Sequence, residues 1–291
     1  MKATLVEKAA AKINLTLRVI GRRADGYHEL ESLVAFADVC DVLAFHPSAD
    51  DGLDVRGPFA GNSGAVADNL VLKALAALRQ RIPGTRGGRF LLEKNIPVAA
   101  GLGGGSADAA AALRLVARAN GIPLPDARVM DAARAVGADV PVCIVSRPCI
   151  MRGIGDILSE PLDLPPLPAV LVNPGVPLAT RDVFGNFTGR AGTKSLGALP
   201  LGFDALIACL EEHHNDLAPA AIACAPVVAD VLAALTACTG VRLVRMSGSG
   251  PSCFALFTTR DEAATAAQRL KAGRKNWWVQ ATTLGATVSE S

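Results

Sequence analysis

Apolar and polar residues alternate along Ile13-Asn14-Leu15-Thr16-Leu17, the period of a strand with one face in a core. The surrounding stretch, TLVEKAAAKINLTLRVIG, reads as extended chain ending at Gly21. A polar turn at Asp25-Gly26 follows, and the apolar segments after it, up to AFHP, suit strands. In AVADNLVLKALAALRQRI the period changes. Leu70, Ala74 and Leu78 fall on one face, which predicts a helix. RFLLEKNIPVAA is strand-like, with Pro97 marking its end. SADAAAALRLVARA is strongly helix-forming and stops at Asn120-Gly121, with Pro123 just beyond. DARVMDAARAVG predicts a short helix closed by Gly137, and ADVPVCIVSRPCIMRGIGD a strand and a glycine turn.

The stretch EPLDLPPLP carries four prolines in nine residues and is the best linker, so the boundary falls near residue 163. Two domains are expected, 1–162 and 163–291. The second half reads as a strand (AVLVNPG), helices over roughly 202–213 and 226–238, and a terminal unit. In that unit VRLVRM and SCFALFT are strands joined by SGSGP. Thr259-Arg260-Asp261-Glu262 has the pattern of a capping box opening a helix that ends near Gly273, and NWWVQATTL is a last strand. Segregated hairpins and helices predict α+β layers in both halves.

Composition adds limits. With 51% hydrophobic and 19% charged residues in 291, the chain can bury a large core and is not disordered. A net charge of +2, without a block of lysine or arginine, does not point to nucleic acid as a partner. No apolar run reaches 18 residues, so no membrane span is expected, and the N-terminus is too broken by charge for a signal peptide. Seven scattered cysteines without a C-x-x-C pair read as reduced, mostly buried thiols of a cytoplasmic protein.

The chemistry concentrates in PVAAGLGGGSADAAAAL, residues 97–113. A glycine loop feeding a helix N-terminus is an anion site: the first helical N–H groups lack partners and the helix dipole is positive there. Phosphate of a nucleotide is the leading ligand, and a tight turn packed on another element is the alternative. The loop lacks the lysine of a P-loop, and Ser106 stands where a dinucleotide fingerprint needs its third glycine. Lys12 and Asn14 share a strand face, and a lysine there is costly to bury unpaired unless it lies at an edge. Asp139 precedes an apolar run, as a functional acid or a helix cap. RMSGSGPSCFALF is a second glycine turn, with Gly248 and Gly250. Tyr27, the only tyrosine, stands beside His28, where the two could read a base or simply close a turn.

Together these stretches resemble the GHMP small-molecule kinases. The pattern AKINLTLRVIGRRADGYHELESL with GADVP is similar to the branch that phosphorylates the 2-hydroxyl of diphosphocytidyl methylerythritol in non-mevalonate isoprenoid synthesis. The resemblance runs from about residue 9 to 257. It implies a two-domain α+β fold, an N-terminal ribosomal-protein-S5-like domain and a C-terminal ferredoxin-like domain with the active site in the cleft. It also implies ATP and Mg²⁺ as cofactors. Lys12 and Asp139 match the catalytic lysine and aspartate. Pro97, Ala99, Ala100, Gly101, Leu102, Gly103, Gly104, Gly105, Ser106, Ala107, Asp108 and Ala109 match the ATP loop. Asn14, Tyr27, His28, Thr180 and Phe184 match the substrate site, with Tyr27 and Phe184 sandwiching the cytosine. Ala107 stands where a second serine is common, which leaves Ser106 for any hydroxyl role, metal binding included. The competing readings are a GHMP kinase for another alcohol, such as homoserine or a mevalonate-type substrate, and a non-catalytic RNA-binding module.

Overall fold

A computed structural model of the protein describes residues 4–124, 126–189 and 194–285. Strands β1 (Leu5–Asn14), β2 (Arg18–Arg22) and β3 (His28–Pro47) open the chain. The residues gather into two packed units. One takes the chain up to Ala11, Val39–Val98 and Gly103–Ser146; the other takes Lys12–Asp38, Ala99–Leu102 and the chain from Arg147. Both β1 and β3 therefore give residues to each.

In the first unit β4 (Gly52–Arg56) pairs parallel with β5 (Gly88–Glu93), which pairs antiparallel with the second half of β3. The β3–β5 register sets Phe45 opposite Phe90 and Leu43 opposite Leu92, all buried. The two phenylalanine rings lie 4.7 Å apart. Four helices pack together beside them: α1 (Leu70–Arg81), α2 (Gly104–Ala119), α3 (Ala127–Val136) and α4 (Val140–Val145). The start of α1 is later than its apolar pattern predicts, because the Asn69 side chain accepts the Val71 N–H at 3.0 Å and caps it there. Asp126 caps α3 in the same way through Arg128 N. The strand expected in the stretch from Ala138 forms only at Cys149–Gly153, and its Val-Pro-Val-Cys-Ile-Val run is helix α4. Pro141 sits in its first turn, where a missing N–H costs no hydrogen bond. Burial of Val140, Pro141, Val142 and Cys143 against the other helices outweighs the β preference of the valines.

In the second unit β2 and β6 (Cys149–Gly153) flank the first half of β3, and β7 (Ile157–Leu158) pairs with β6. Farther on come β8 (Leu167–Asn173), α5 (Thr180–Gly185), α6 (Phe203–Glu211), α7 (Ala218–Cys224), α8 (Val227–Thr236), β9 (Val241–Met246), β10 (Cys253–Phe257), α9 (Arg260–Gly273) and β11 (Trp278–Leu284). Strands β11, β8, β10 and β9 form an antiparallel sheet in that order, against which α8 and α9 pack. The capping box at Thr259 and Glu262 is present in full. The short helices α5 and α7 lie outside the sequence expectations; neither has a side-chain cap to announce it. Of the seven free cysteines three are buried, three are half-buried and Cys224 is exposed, so fewer are fully enclosed than the composition suggested. Among the described residues no helix is long and apolar enough to cross a membrane.

Candidate active site

The two glycine turns meet inside the second unit. A Cβ on Gly101 would lie 2.7 Å from both the Gly250 and Ser247 carbonyl oxygens, and one on Gly248 would lie 3.1 Å from the Gly101 carbonyl. Gly101 also holds φ of +73°, a conformation side chains disfavour. What excludes a side chain at Gly101 is therefore the backbone of the other turn. Ser252 N donates to Ala100 O at 3.2 Å and Lys12 N to Leu102 O at 2.9 Å, so the loop is gripped from both sides.

Ser247 is the joint. Its hydroxyl donates to Gly101 O at 3.0 Å and accepts the Asn14 N–H at 3.1 Å. Asn215 holds the turn from below, its amide donating at 2.8 Å to both Met246 O and Gly248 O. The buried Arg245 guanidinium donates to Leu15 O at 2.6 Å and to Leu210 O at 2.9 Å, near the end of α6. Burial pushes it down to about 10. None of these three polar residues was singled out from the sequence. Ser247 lay within the glycine motif, but nothing local marks Arg245, and Asn215 has beside its distant contacts only a local one, its Oδ1 accepting the Leu217 N–H at 3.0 Å. Replacing Ser247 with alanine leaves a buried donor and a buried acceptor unmet. Unfolding titration is expected to show a loss of about 1–3 kcal/mol.

Lys12 and Asn14 are both buried. The Asn14 amide nitrogen donates to Ser32 Oγ at 2.7 Å, while its Oδ1 is enclosed without a hydrogen-bond partner. An enclosed, unmet acceptor is costly to a folded protein. Tyr27 is 63% exposed in a turn closed by the Arg23–Asp25 pair and by Arg23 N on Tyr27 O at 2.7 Å. No aromatic ring among the described residues packs on it. Phe184 instead stacks on the His28 ring, 5.0 Å centre to centre and 25° between planes, with Phe187 edge-on at 6.1 Å. Burial, with help from Arg22, pushes the His28 imidazole down and favours its neutral form. The Thr180 hydroxyl lies 2.9 Å from Ser249 Oγ, which ties α5 to the second glycine turn.

The remaining predicted residues belong to the first unit, apart from Ala99 to Leu102. Gly103, with φ of +62°, is the N-cap of α2, whose first turn carries no acidic side chain. Gly105 is exposed, and Gly104 and Ser106 are half-buried. Pro97, Ala107, Asp108 and Ala109 are buried. They shape the turn from within. Asp139 is half-buried at the N-cap of α4, but its side chain does not cap that helix.

Residues 69–147 match the model of the GHMP kinases N terminal domain, and residues 198–276 match that of the GHMP kinases C terminal domain. Curated relatives run the length of the chain. A 4-diphosphocytidyl-2-C-methyl-D-erythritol kinase of Rhodopseudomonas palustris strain BisB5 is 55% identical, covering 95% of this chain and 98% of the relative. One of Nitrobacter hamburgensis is 52% identical over 96% and 95%. Among solved structures, a 4-(cytidine 5'-diphospho)-2C-methyl-D-erythritol kinase superposes with a TM-score of 0.80 at 36% identity, covering 97% of this chain and all of that one. A homoserine kinase of Cytophaga hutchinsonii, TM-score 0.71 at 19% identity over 99% and 96%, shares the fold. The chain belongs to the GHMP kinases, in the family of 4-diphosphocytidyl-2-C-methyl-D-erythritol kinases, and is an ATP-dependent small-molecule kinase. Its two-domain α+β fold is that of the class. The expectation of a non-catalytic RNA-binding module is not supported.

Proposed function

We propose that the protein transfers the γ-phosphoryl group of ATP to the 2-hydroxyl of 4-diphosphocytidyl-2-C-methyl-D-erythritol, giving the 2-phosphate and ADP. The observation that carries this is the 55% identity, over nearly the whole chain, to a kinase named for that substrate. Asp139 takes the proton of the attacking hydroxyl, and Lys12 offsets negative charge at the reacting centre. The N–H groups of Gly104, Gly105 and Ser106 hold the ATP phosphates at the start of α2. Asn14 and Thr180 orient the acceptor alcohol, and His28, Tyr27 and Phe184 receive the cytosine.

The half-buried Ser106 hydroxyl, in the same first turn, would supply an oxygen ligand to a Mg²⁺ ion. Such an ion neutralises charge on the transferring group. The segments matched to the family lie on either side of residue 162, in keeping with domains 1–162 and 163–291. Seven free thiols suit a cytoplasmic enzyme.

An ADP-release assay with the cytidyl diphosphate substrate, and with methylerythritol phosphate lacking the nucleotide, tests the proposal. Turnover is expected only with the first. Comparable turnover of homoserine or of the truncated alcohol would overturn the substrate assignment. Tyr27→Ala is expected to raise KM for the cytidyl substrate by about 1–3 kcal/mol, the range for one stacked base, and to leave that for ATP unchanged. Steady-state kinetics in both substrates separates the two.

A further inference from the structure

The second glycine turn is closed by its own hydrogen bonds. The Ser247 N–H donates to Ser252 O and the Gly250 N–H to Ser247 O, both at 2.9 Å, while Asn215 holds Met246 O and Gly248 O. Gly248 and Gly250 take φ of +58° and +79°, so Ser249 stands between two residues in a conformation that side chains disfavour. Ser249 itself is only 7% exposed. The start of α5 has less to hold it. This helix is six residues long, opens at Ala179 without a side-chain cap, and leaves Thr180 exposed. Among the described residues, the one hydrogen bond tying this start to the turn is the 2.9 Å contact between the Thr180 and Ser249 hydroxyls.

Two hydroxyls carry two protons, and a bond between them uses one. Neither oxygen has a further hydrogen-bond partner among the described residues. One O–H group is therefore left to donate elsewhere, and burial decides which. A spare proton on Ser249 would be shut in without an acceptor, which is costly, whereas Thr180 is open to solvent or to a ligand. The arrangement of lower cost has Ser249 donating to Thr180 Oγ1 and Thr180 offering its own proton outward. Phe184, on the same helix, stacks on His28 at 5.0 Å. One short helix thus carries both an aromatic face and an oriented hydroxyl donor.

We propose that Ser249 is a positioning residue: by donating to Thr180 it aims the Thr180 O–H at an oxygen of the acceptor alcohol and fixes the start of α5 against the second glycine turn. The proposal rests on the substrate role given above to Thr180. The turn is the fixed member of the pair, because its backbone bonds close on themselves, and α5 is the member that is placed. Without the Ser249 hydroxyl, the Thr180 side chain is released to its other rotamers, and binding of the alcohol must then bear the cost of ordering it. The nucleotide phosphates make no use of this contact.

The test is a double-mutant cycle of Ser249→Ala and Thr180→Val, with kcat, Tm and KM for each substrate measured on every protein. Ser249→Ala removes one oxygen and leaves the backbone bonds of the turn in place. It is expected to raise KM for the cytidyl substrate roughly 3- to 10-fold, the range for one hydrogen bond, with kcat and ATP KM unchanged. In the Thr180→Val background it is expected to add nothing, because the hydroxyl through which it acts is gone. An equal added effect in that background would overturn the proposal. So would a rise in both KM values or a protein that cannot fold, either of which makes Ser249 a structural part of the turn. Thr180→Val by itself tests the substrate role separately. If it leaves the cytidyl KM unchanged, the role of Thr180 fails, and that of Ser249 with it. If it raises that KM while Ser249→Ala behaves as wild type, only the role of Ser249 fails.

Discussion

Asp139→Asn is expected to lower kcat by roughly 10²- to 10⁴-fold while ATP still binds, the range for losing a general base. Asparagine preserves the size of the side chain and one oxygen acceptor, but it cannot take the proton of an attacking hydroxyl. Asp139 O accepts the Cys143 N–H at 3.3 Å, and the side chain leaves α4 uncapped, so the substitution removes no helix cap. Steady-state turnover with the cytidyl substrate, alongside ATP binding by calorimetry, makes the measurement. A variant within a few-fold of wild-type kcat would take Asp139 out of the reaction and return it to the role of a turn residue.

Gly101→Val is expected to do comparable damage by a different route. The new Cβ would fall 2.7 Å from two carbonyl oxygens, those of Ser247 and Gly250, and backbone cannot yield as a flexible side chain does. The positive φ adds a cost of about 1–3 kcal/mol for a residue other than glycine. Relief requires the loop to move away from the Ser247 turn, which breaks the Ser247–Gly101 hydrogen bond and shifts Leu102, whose carbonyl receives the Lys12 N–H. A displacement of about 1 Å at a reacting site costs on the order of 10²-fold, so kcat/KM is expected to fall by at least that much, with a lower Tm. Wild-type kinetics and melting would show that contact between the two glycine turns does not hold the loop.

Much of the fold was legible because helix and strand ends are written locally. Thr259 and Glu262 form a capping box three residues apart, whereas the Asn69 cap that sets the start of α1 was not read from the sequence. The strand expected around residues 13–17 is β1, but it ends at Asn14, and residues 13–17 are buried throughout rather than on one face; the alanine-rich run gave α2 from composition alone. Helix α4 was not legible: its sequence favours a strand, and only packing against neighbouring helices overrides that. At the site, glycine content marks a tight loop, and the cause at Gly101 is the distant backbone of Ser247 and Gly250. Phe184, expected to face the base together with Tyr27, has a protein ring as its neighbour. Its ring lies on His28, and Tyr27 is left exposed.

By itself the sequence indicated the class of the protein, through motifs that resemble those of the GHMP kinases; each is contiguous in the chain, so it is legible without the fold. Tertiary structure alone decided which buried polar groups are satisfied. It assigned Ser247 to two backbone partners, left Asn14 Oδ1 and Asp108 Oδ1 without any, and set Lys94 between two carboxylates. Hydrogen bonds and charge balance depend on distance in space. Contacts such as Asn14 to Ser247, separated by 233 positions, have no trace in local pattern.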